Sequence, residues 1–330
     1  MTSRKLTQMF LALAALVVLA MSALAADPGT EIPATSAVSD QKAGSVLIYN
    51  LYASSSTNPA VQNTRINLTN TDDARGVFVH LFFVDGATCS VADSYICLSK
   101  SQTTSILASD VDPDVMGYVV AVAVDSNGCP IKANDLIGDE FVKLASGHAA
   151  NLGAEAVAKL TAANVVSTDG SLAALFFDGA ALAGSYNALP RVLAIDNVAS
   201  AKDGNNTLLV VNRIGGSLVD GAASIGNVFG ILFDELESGH SFTFKGGCQL
   251  KATLSDSFPR TTPRYTGVVP AGSTGWLKFW ATNNRALLGA VINKNTQASA
   301  TAFNGGHNLH KLTTTTAGAY EIPVFTAMCN

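Results

Sequence analysis

Two apolar runs determine the predicted fold class: VFVHLFFV at positions 77–84 and YVVAVAV at positions 118–124. Both are rich in β-branched or aromatic residues and both end at turn-forming Asp, Gly, Ser and Asn residues. Continuous apolar runs of this length are typical of strands buried on both faces. Nearby, Thr64–Thr69 alternates polar and apolar residues, as a half-buried strand does.

Short strands separated by turn signals continue along the chain and predict an all-β protein. The exception is the Ala-rich stretch from Leu152 to about Ala163, whose apolar spacing predicts one short helix. We expect two tandem related β-sandwich domains, immunoglobulin-like or jelly-roll-like, with that helix between them. A single large double sandwich is the alternative.

An internal repeat supports the division into two domains. Six short segments recur in the same order, shifted by roughly 140 to 160 residues. They are NTRI 63–66 with NTLL 206–209, VFVHLF 77–82 with VFGILF 228–233, GATC 86–89 with KGGC 245–248, GYVV 117–120 with GWLK 275–278, LIG 136–138 with LLG 287–289, and GH 147–148 with GH 306–307. Their order predicts an internal duplication, with domain 1 at 43–164 and domain 2 at 165–330.

The N-terminus has the pattern of a secretory signal peptide. Arg4 and Lys5 precede an apolar run from Met9 to Leu19, and Ala23-x-Ala25 then forms a small-residue cleavage site. We predict a signal peptide at 1–25, a flexible leader at 26–42, and no transmembrane segment after cleavage. The mature protein is expected to be secreted, extracellular or at the cell surface, with the periplasm as an alternative.

The composition limits the classes of molecule that the protein can be expected to bind. Only 14% of residues are charged, against about 25% in typical soluble domains. The net charge is −5, and the 20 Lys and Arg residues form no basic stripe. Nucleic-acid binding depends on clustered cations, so we exclude nucleic acid as a partner. The low charge favours self-association or contact with other surface components.

Five cysteines suit an exported protein, in which disulfides are expected. The candidates for pairing are Cys89 with Cys97, across a loop or hairpin, and Cys248 with Cys329, which would tie the last strand to its domain. Spacing alone does not fix the connectivity. Cys129 is then left as a free or intermolecular thiol.

Two groups of residues are candidate metal ligands; we expect no cofactor, with bound calcium as the alternative. Asp110, Asp112 and Asp114 place three carboxylates at alternate positions, the type of ligand that calcium prefers. His307 and His310 would suit a metal if their segment were helical, but no third ligand is evident in the neighbouring sequence. We therefore predict that His307 closes a turn by a hydrogen bond.

The densest aromatic patch surrounds Trp276 and Trp280, with Tyr265 nearby. On a strand the two Trp residues share a face, and Lys278 lies between them on that face. Exposed rings of this kind stack on sugars, so Trp276, Lys278, Trp280 and Tyr265 are the candidate ligand-binding residues. The alternative is that they are core aromatics.

Five segments resemble a family of uncharacterised secreted bacterial proteins, mainly in the first half of the mature chain; they are His80–Gly86, Cys89–Asp93, Gly117–Val124, Leu136–Lys143 and Gly147–Gly153. The resemblance implies export and provides no catalytic residue.

Three functions remain open. The first is a non-catalytic surface, envelope or matrix protein that acts by assembly or adhesion. The second is a carbohydrate- or ligand-binding module that uses the Trp276–Trp280 face. The third is a secreted hydrolase with a site that no sequence motif reveals, since no nucleophile elbow occurs.

Overall fold

The computed structural model describes residues 28–31, 38–297 and 302–328, so the predicted signal peptide at 1–25 lies outside it. Nearly all regular structure in these ranges is strand. The strands are β1 Thr30–Glu31, β2 Val46–Ala53, β3 Asn63–Asn70, β4 Val77–Asp85, β5 Val91–Leu98, β6 Thr103–Leu107, β7 Met116–Val124, β8 Leu136–Lys143, β9 Ala149–Gly153, β10 Glu155–Val157, β11 Val165–Val166, β12 Leu172–Phe177, β13 Leu189–Ala199, β14 Asn205–Ile214, β15 Gly216–Ser217, β16 Gly221–Ala222, β17 Gly226–Phe233, β18 Gly239–Gly246, β19 Gln249–Thr253, β20 Thr274–Ala281, β21 Ala286–Asn295, β22 Gly305–Asn308, β23 His310–Thr315 and β24 Gly318–Pro323. Single turns of helix occur at α1 Ala108–Val111 and α2 Tyr265–Val268, and a 3-10 turn at Ala201–Asp203.

The strands form five small sheets within the described ranges. Sheet 1 has the order β10-β2-β7-β4-β5 and sheet 2 the order β6-β3-β8-β9. Sheet 3 has the order β1-β23-β13-β20-β17-β18 and sheet 4 the order β19-β14-β21-β22. Sheet 5, of order β11-β12-β24-β15-β16, contains the parallel pair β15 and β24, and its other pairings are antiparallel.

Sheet 1 is buried on both faces, as the apolar runs at 77–84 and 118–124 predict. On one face, Leu47 and Phe83 share a core with Ile66 and Leu68 of sheet 2. On the other face, residues such as Val120 share a core with sheet 5. This double burial explains why the β4 and β7 sequences are continuously apolar instead of alternating.

The expectation of two tandem β-sandwich domains is wrong. Sheet 5 combines β12, from the middle of the chain, with the late strand β24, and this sheet packs on sheet 1. A further core joins Leu51 and Val142 to Val210 and Ile292, from opposite halves of the chain. The halves therefore share two hydrophobic cores, so neither half is an independent domain.

In the number and size of its sheets the protein resembles a five-bladed β-propeller more than a pair of tandem sandwiches. Its strand order differs from a simple series of consecutive blades, because most sheets combine strands that are distant in sequence. Sheets 1 and 3 nevertheless have corresponding strand orders: β10, β2, β7, β4 and β5 occupy the places of β23, β13, β20, β17 and β18. Sheets 2 and 4 correspond in the same way.

The helix predicted from Leu152 to Ala163 is wrong, because this segment contains the end of β9 and all of β10. Its small side chains are buried, with Ala154 and Ala156 in the core below sheet 1. Pairing of β10 with β2 outweighs the helical preference of alanine. The predicted flexible leader is also partly paired, since Thr30–Glu31 pairs with β23.

The disulfide pattern differs from the expected one. Cys89 is bonded to Cys248, with a Cα–Cα distance of 5.2 Å and a sequence separation of 159 residues. The expected pairs Cys89–Cys97 and Cys248–Cys329 are therefore wrong. Cys97 is also disulfide-bonded, and Cys329 lies outside the described residues.

Cys129 is a free, partly buried cysteine. Burial raises the pKa of its thiol, and the charge of Asp125 adds to that rise. Because the thiolate is the reactive form, this environment lowers the reactivity of the thiol. An intermolecular bond through Cys129 stays a prediction. Across the described ranges, no helix is long and apolar enough to span a membrane.

Candidate functional site

The outer side of sheet 3 presents a row of large side chains, which we call the aromatic face. It is formed by alternate residues of β17 and β20, all half-buried: Phe229, Ile231, Phe233, Trp276, Lys278 and Trp280. The intervening residues, including Leu277 and Phe279, point into the core between sheets 3 and 4. Strand alternation thus separates a solvent-facing aromatic row from a buried one.

Cross-strand pairs order the aromatic face. Phe233 lies opposite Trp276, and their rings stack with centroids 4.0 Å apart and an interplanar angle of 7°. Phe229 lies opposite Trp280, with centroids 5.1 Å apart. Lys278 Nζ lies 5.9 Å from the ring centroids of both Phe233 and Trp276. These contacts hold the rings in fixed orientations, with a cation between the two Trp positions.

Tyr265 is not part of this face. It belongs to α2 and is fully buried in the core between sheets 3 and 4. Its hydroxyl donates a hydrogen bond to the main-chain oxygen of Ala199 at 2.8 Å. Burial raises the pKa of Tyr265. Its prediction as a ligand-binding residue is therefore wrong, whereas Trp276, Lys278 and Trp280 share one face.

A second group lies on the same side of sheet 3. His310 on β23 is paired in register with Ala194 on β13, and Ala194 is paired with Lys278 on β20. Residues directly opposite each other project to the same side of a sheet. Asp196, two residues after Ala194, projects outward at a β-bulge between Ile195 and Val198.

Asp196, His307 and His310 converge at this point, and we call them the His–Asp cluster. Asp196 Oδ1 lies 3.1 Å from His310 Nε2 and 3.6 Å from His307 Nε2. One ligand atom of each residue lies within 4.8 Å of the other two. Both histidines are candidate ligands from the sequence, whereas Asp196 has no local signal, because a bulge on a strand more than 100 residues earlier brings it to the histidines.

Two clefts meet at the cluster, and both include Asp196 and His307 in their walls. The larger has a volume of about 780 Å³ and the smaller about 350 Å³. The larger is rich in amide, carboxylate and hydroxyl groups; among its lining residues are Asp203, Asn205, Thr274, Asn293, Asn295 and Gln297. Its groups can donate and accept hydrogen bonds, as recognition of a polar ligand requires.

The carboxylates proposed for calcium have separate partners. Asp112 accepts a hydrogen bond from the Tyr52 hydroxyl, and Asp114 accepts one from the Ser56 main-chain N–H at 2.8 Å. Asp110 lies exposed on α1. Within the described ranges, these three do not form a convergent group of possible ligands. Calcium binding there stays a prediction that this geometry does not favour.

Comparison with known proteins identifies no family. No family model matches the chain, and no curated protein matches it. Among solved structures, it is similar to a β-glucuronidase from Ruminococcus gnavus in complex with uronic deoxynojirimycin, at 10% identity and a TM-score of 0.15. The match covers 86% of this chain and 39% of the glucuronidase chain. At this TM-score the similarity carries no argument about fold or function.

Proposed function

We propose that the protein is an exported, non-catalytic binding protein that recognises carbohydrate through the aromatic face. The observation that carries this proposal is that Trp276 and Trp280 lie half-buried on one outer sheet surface, next to Phe229 and Phe233. Aromatic rings that are partly open to solvent offer flat apolar surfaces to the C–H faces of sugar rings.

The dimensions of the face favour an oligosaccharide over a single sugar. Trp276 and Trp280 are four residues apart on β20, a distance of about 13 Å along an extended strand. Lys278 lies between them and supplies a donor for sugar hydroxyl groups. Thr274, two residues before Trp276, lines the larger cleft, whose amide groups extend the set of hydrogen-bonding partners.

Export is supported by the chemistry of the cysteines. The Cys89–Cys248 bond and the bonded state of Cys97 suit an oxidising compartment. Adhesion at a cell surface or in an extracellular matrix would follow from glycan recognition without a catalytic step. The proposal includes internal duplication of the chain, which the corresponding strand orders of sheets 1 and 3 support.

Intrinsic fluorescence gives a direct test, because both Trp residues of the chain lie on the aromatic face. The mature protein would be screened on a glycan array, and each oligosaccharide that binds would be titrated by fluorescence and calorimetry. We expect saturable binding with a change in Trp emission. Trp276→Ala and Trp280→Ala should each lower the affinity at least tenfold.

Phe141→Ala is the matched control, because Phe141 is an exposed aromatic residue on sheet 2, away from the aromatic face. It should bind glycans as the wild type does. An array without binding overturns the proposal. If instead light scattering shows that the protein self-associates, and the Trp variants abolish this, the aromatic face serves assembly.

A further inference from the structure

We propose that the His–Asp cluster is a binding site for a divalent transition-metal ion, with zinc as the expected ion. Two imidazoles and one carboxylate form a ligand set that suits zinc. Calcium and magnesium prefer oxygen ligands, so this set does not suit them. The cluster lies on the same side of sheet 3 as the aromatic face but consists of different residues, and the metal proposal does not depend on glycan binding.

The distances from Asp196 to the two histidines fit a shared ion. Zinc binds nitrogen and oxygen ligands at about 2.0–2.2 Å, so neighbouring ligand atoms of a tetrahedral site lie about 3.3 Å apart. Asp196 Oδ1 lies 3.1 Å from His310 Nε2 and 3.6 Å from His307 Nε2, on either side of that value. Small side-chain rotations would complete the coordination.

The backbone fixes the two histidines relative to each other. His307 is the next-to-last residue of β22 in sheet 4, whereas His310 is the first residue of β23 in sheet 3. Leu309 between them is buried, and its N–H donates to the Gly289 oxygen at 2.9 Å. The segment that joins the two sheets is therefore anchored, and the positions of the two histidines do not depend on a mobile loop.

Asn308 provides a second anchor. Its amide group donates to the Gly153 oxygen at 2.7 Å and to Asp40 at 3.1 Å. It also accepts a hydrogen bond from Asn50 at 2.9 Å. Because the buried side chain of Asn308 has three hydrogen-bond partners, it fixes the backbone directly after His307.

The orientation of His307 is that of a metal ligand. Its Nδ1 lies 2.9 Å from the main-chain oxygen of Asn308, which leaves Nε2 directed at Asp196. Histidine ligands commonly donate their second ring N–H to such an oxygen, which selects the tautomer. The turn-closing hydrogen bond that the sequence predicted for His307 is thus compatible with metal binding through the other nitrogen.

The position of Asp196 is also set by backbone geometry. The next residue, Asn197, has a φ of 46°, in the left-handed region that non-glycine residues seldom adopt. This bulge aims Asp196 at the histidines.

The surrounding charges permit a cation. Lys311 follows His310 directly, but its ammonium group lies 2.8 Å from the buried carboxylate of Glu155. Lys311 therefore does not compete for Asp196. The side chains of Asp196, His307 and His310 are 65%, 45% and 53% exposed, so an ion can enter from solvent without opening the fold.

Three protein ligands leave a fourth position for water or an external ligand. The two clefts that share Asp196 and His307 give such a ligand access to the cluster. The structure thus assigns an accessible site of three ligands and one open position, in contrast to a closed structural site.

The test is a metal titration of the mature, tag-free protein after treatment with EDTA. Zinc chloride would be titrated by calorimetry, and cobalt would be followed through its visible absorption, which reports the coordination geometry. We expect one ion per chain, a tetrahedral cobalt spectrum, and no displacement of the bound cobalt by excess calcium. Asp196→Asn, His307→Gln and His310→Gln should each weaken zinc binding at least tenfold.

The matched control is His240→Gln. His240 lies on β18, the edge strand of sheet 3 far from β23, and its Nε2 lies 4.0 Å from Asp234 Oδ2. This His–Asp pair has no second histidine beside it within the described residues. This variant should bind zinc as the wild type does, and so should Trp276→Ala, which separates the metal site from the glycan proposal. Thermal melting would show that each variant is folded. Absence of saturable zinc binding, or unchanged affinity in folded His307→Gln and His310→Gln variants, would overturn the proposal.

Discussion

The side-chain amide of Asn212 donates a hydrogen bond to the main-chain oxygen of Asn50 at 2.8 Å, and both residues are fully buried. Gln249 in turn donates to the Asn212 side-chain oxygen at 2.8 Å. Asn50 continues the network by donating to Asn308. This buried polar network joins strands from both halves of the chain and satisfies groups that would otherwise be costly to bury.

We expect Asn212→Leu to lower the free energy of unfolding by about 1–3 kcal/mol, because two buried hydrogen bonds, to the Asn50 oxygen and from Gln249, are lost. Urea denaturation followed by circular dichroism measures this change. Asn283→Leu, at an exposed bend, is the control and should unfold at nearly the wild-type urea concentration. Equal midpoints for Asn212→Leu and the wild type would show that the network does not contribute to stability.

The Cys89–Cys248 bond should stabilise the fold strongly. It closes a loop with a sequence separation of 159 residues, which restricts the unfolded chain. Replacement of both cysteines by serine is expected to cost about 2–5 kcal/mol. The control is Cys129→Ser, which removes the free thiol only. A double variant as stable as the control would contradict the prediction.

Glu140 should make stability depend on pH. It is fully buried; its Oε1 accepts a hydrogen bond from the Leu51 N–H, whereas Oε2 has no hydrogen-bond partner within the described ranges. Burial raises the pKa of Glu140 well above its usual range. The folded state therefore holds this proton more tightly than the unfolded state does. The stabilisation that protonated Glu140 contributes is complete below its pKa in the unfolded state, about 4.3. It is lost as the pH rises through the pKa of Glu140 in the folded state.

Glu140→Gln should therefore raise the free energy of unfolding at pH 7.5 relative to the wild type, and much less at pH 4. The gain is about 1.4 kcal/mol for every unit by which the pKa of Glu140 is higher in the folded state than in the unfolded state. Urea denaturation at both pH values measures it. Glu321→Gln, at an exposed position of β24, should leave the pH dependence unchanged. Parallel pH profiles for the wild type and Glu140→Gln would refute the prediction.

Neighbouring residues of β20 should differ sharply in their contribution to stability. Phe279 is fully buried, and Phe279→Ala is expected to cost about 3–5 kcal/mol. Trp276 is half-buried on the outer face, so Trp276→Ala should cost less than about 2 kcal/mol. Thermal denaturation compares the two variants. A larger loss for Trp276→Ala would mean that this ring belongs to the core.

The sequence predicts local properties of the fold well. Alternation on β20 places Trp276, Lys278 and Trp280 on one side, and the runs at 77–84 and 118–124 are buried on both faces. These features depend only on strand periodicity and hydrophobicity. The same reasoning fails between Leu152 and Ala163, because pairing with β2 is a tertiary interaction that local helix propensity does not contain.

Long-range features could not be predicted from spacing. The Cys89–Cys248 pair and the convergence of Asp196 with two histidines each join residues more than 100 positions apart. The bulge that aims Asp196 has no sequence signature of its own, since the left-handed residue is Asn197 and not a glycine. The composition of sheet 5 could not be predicted for the same reason, because β12 pairs along its full length only with the distant strand β24.

The pairing of β12 with β24 constrains the order of folding. In a chain that leaves the ribosome or crosses a membrane with its N-terminus first, β12 emerges long before the strand that pairs with it from Leu172↔Pro323 to Phe177↔Gly318. Until then sheet 1 lacks its cover, and the apolar side chains that pack on sheet 5 stay open to water. Such non-local closure slows folding. The late arrival of one strand would keep the preceding polypeptide incompletely folded until synthesis is nearly complete.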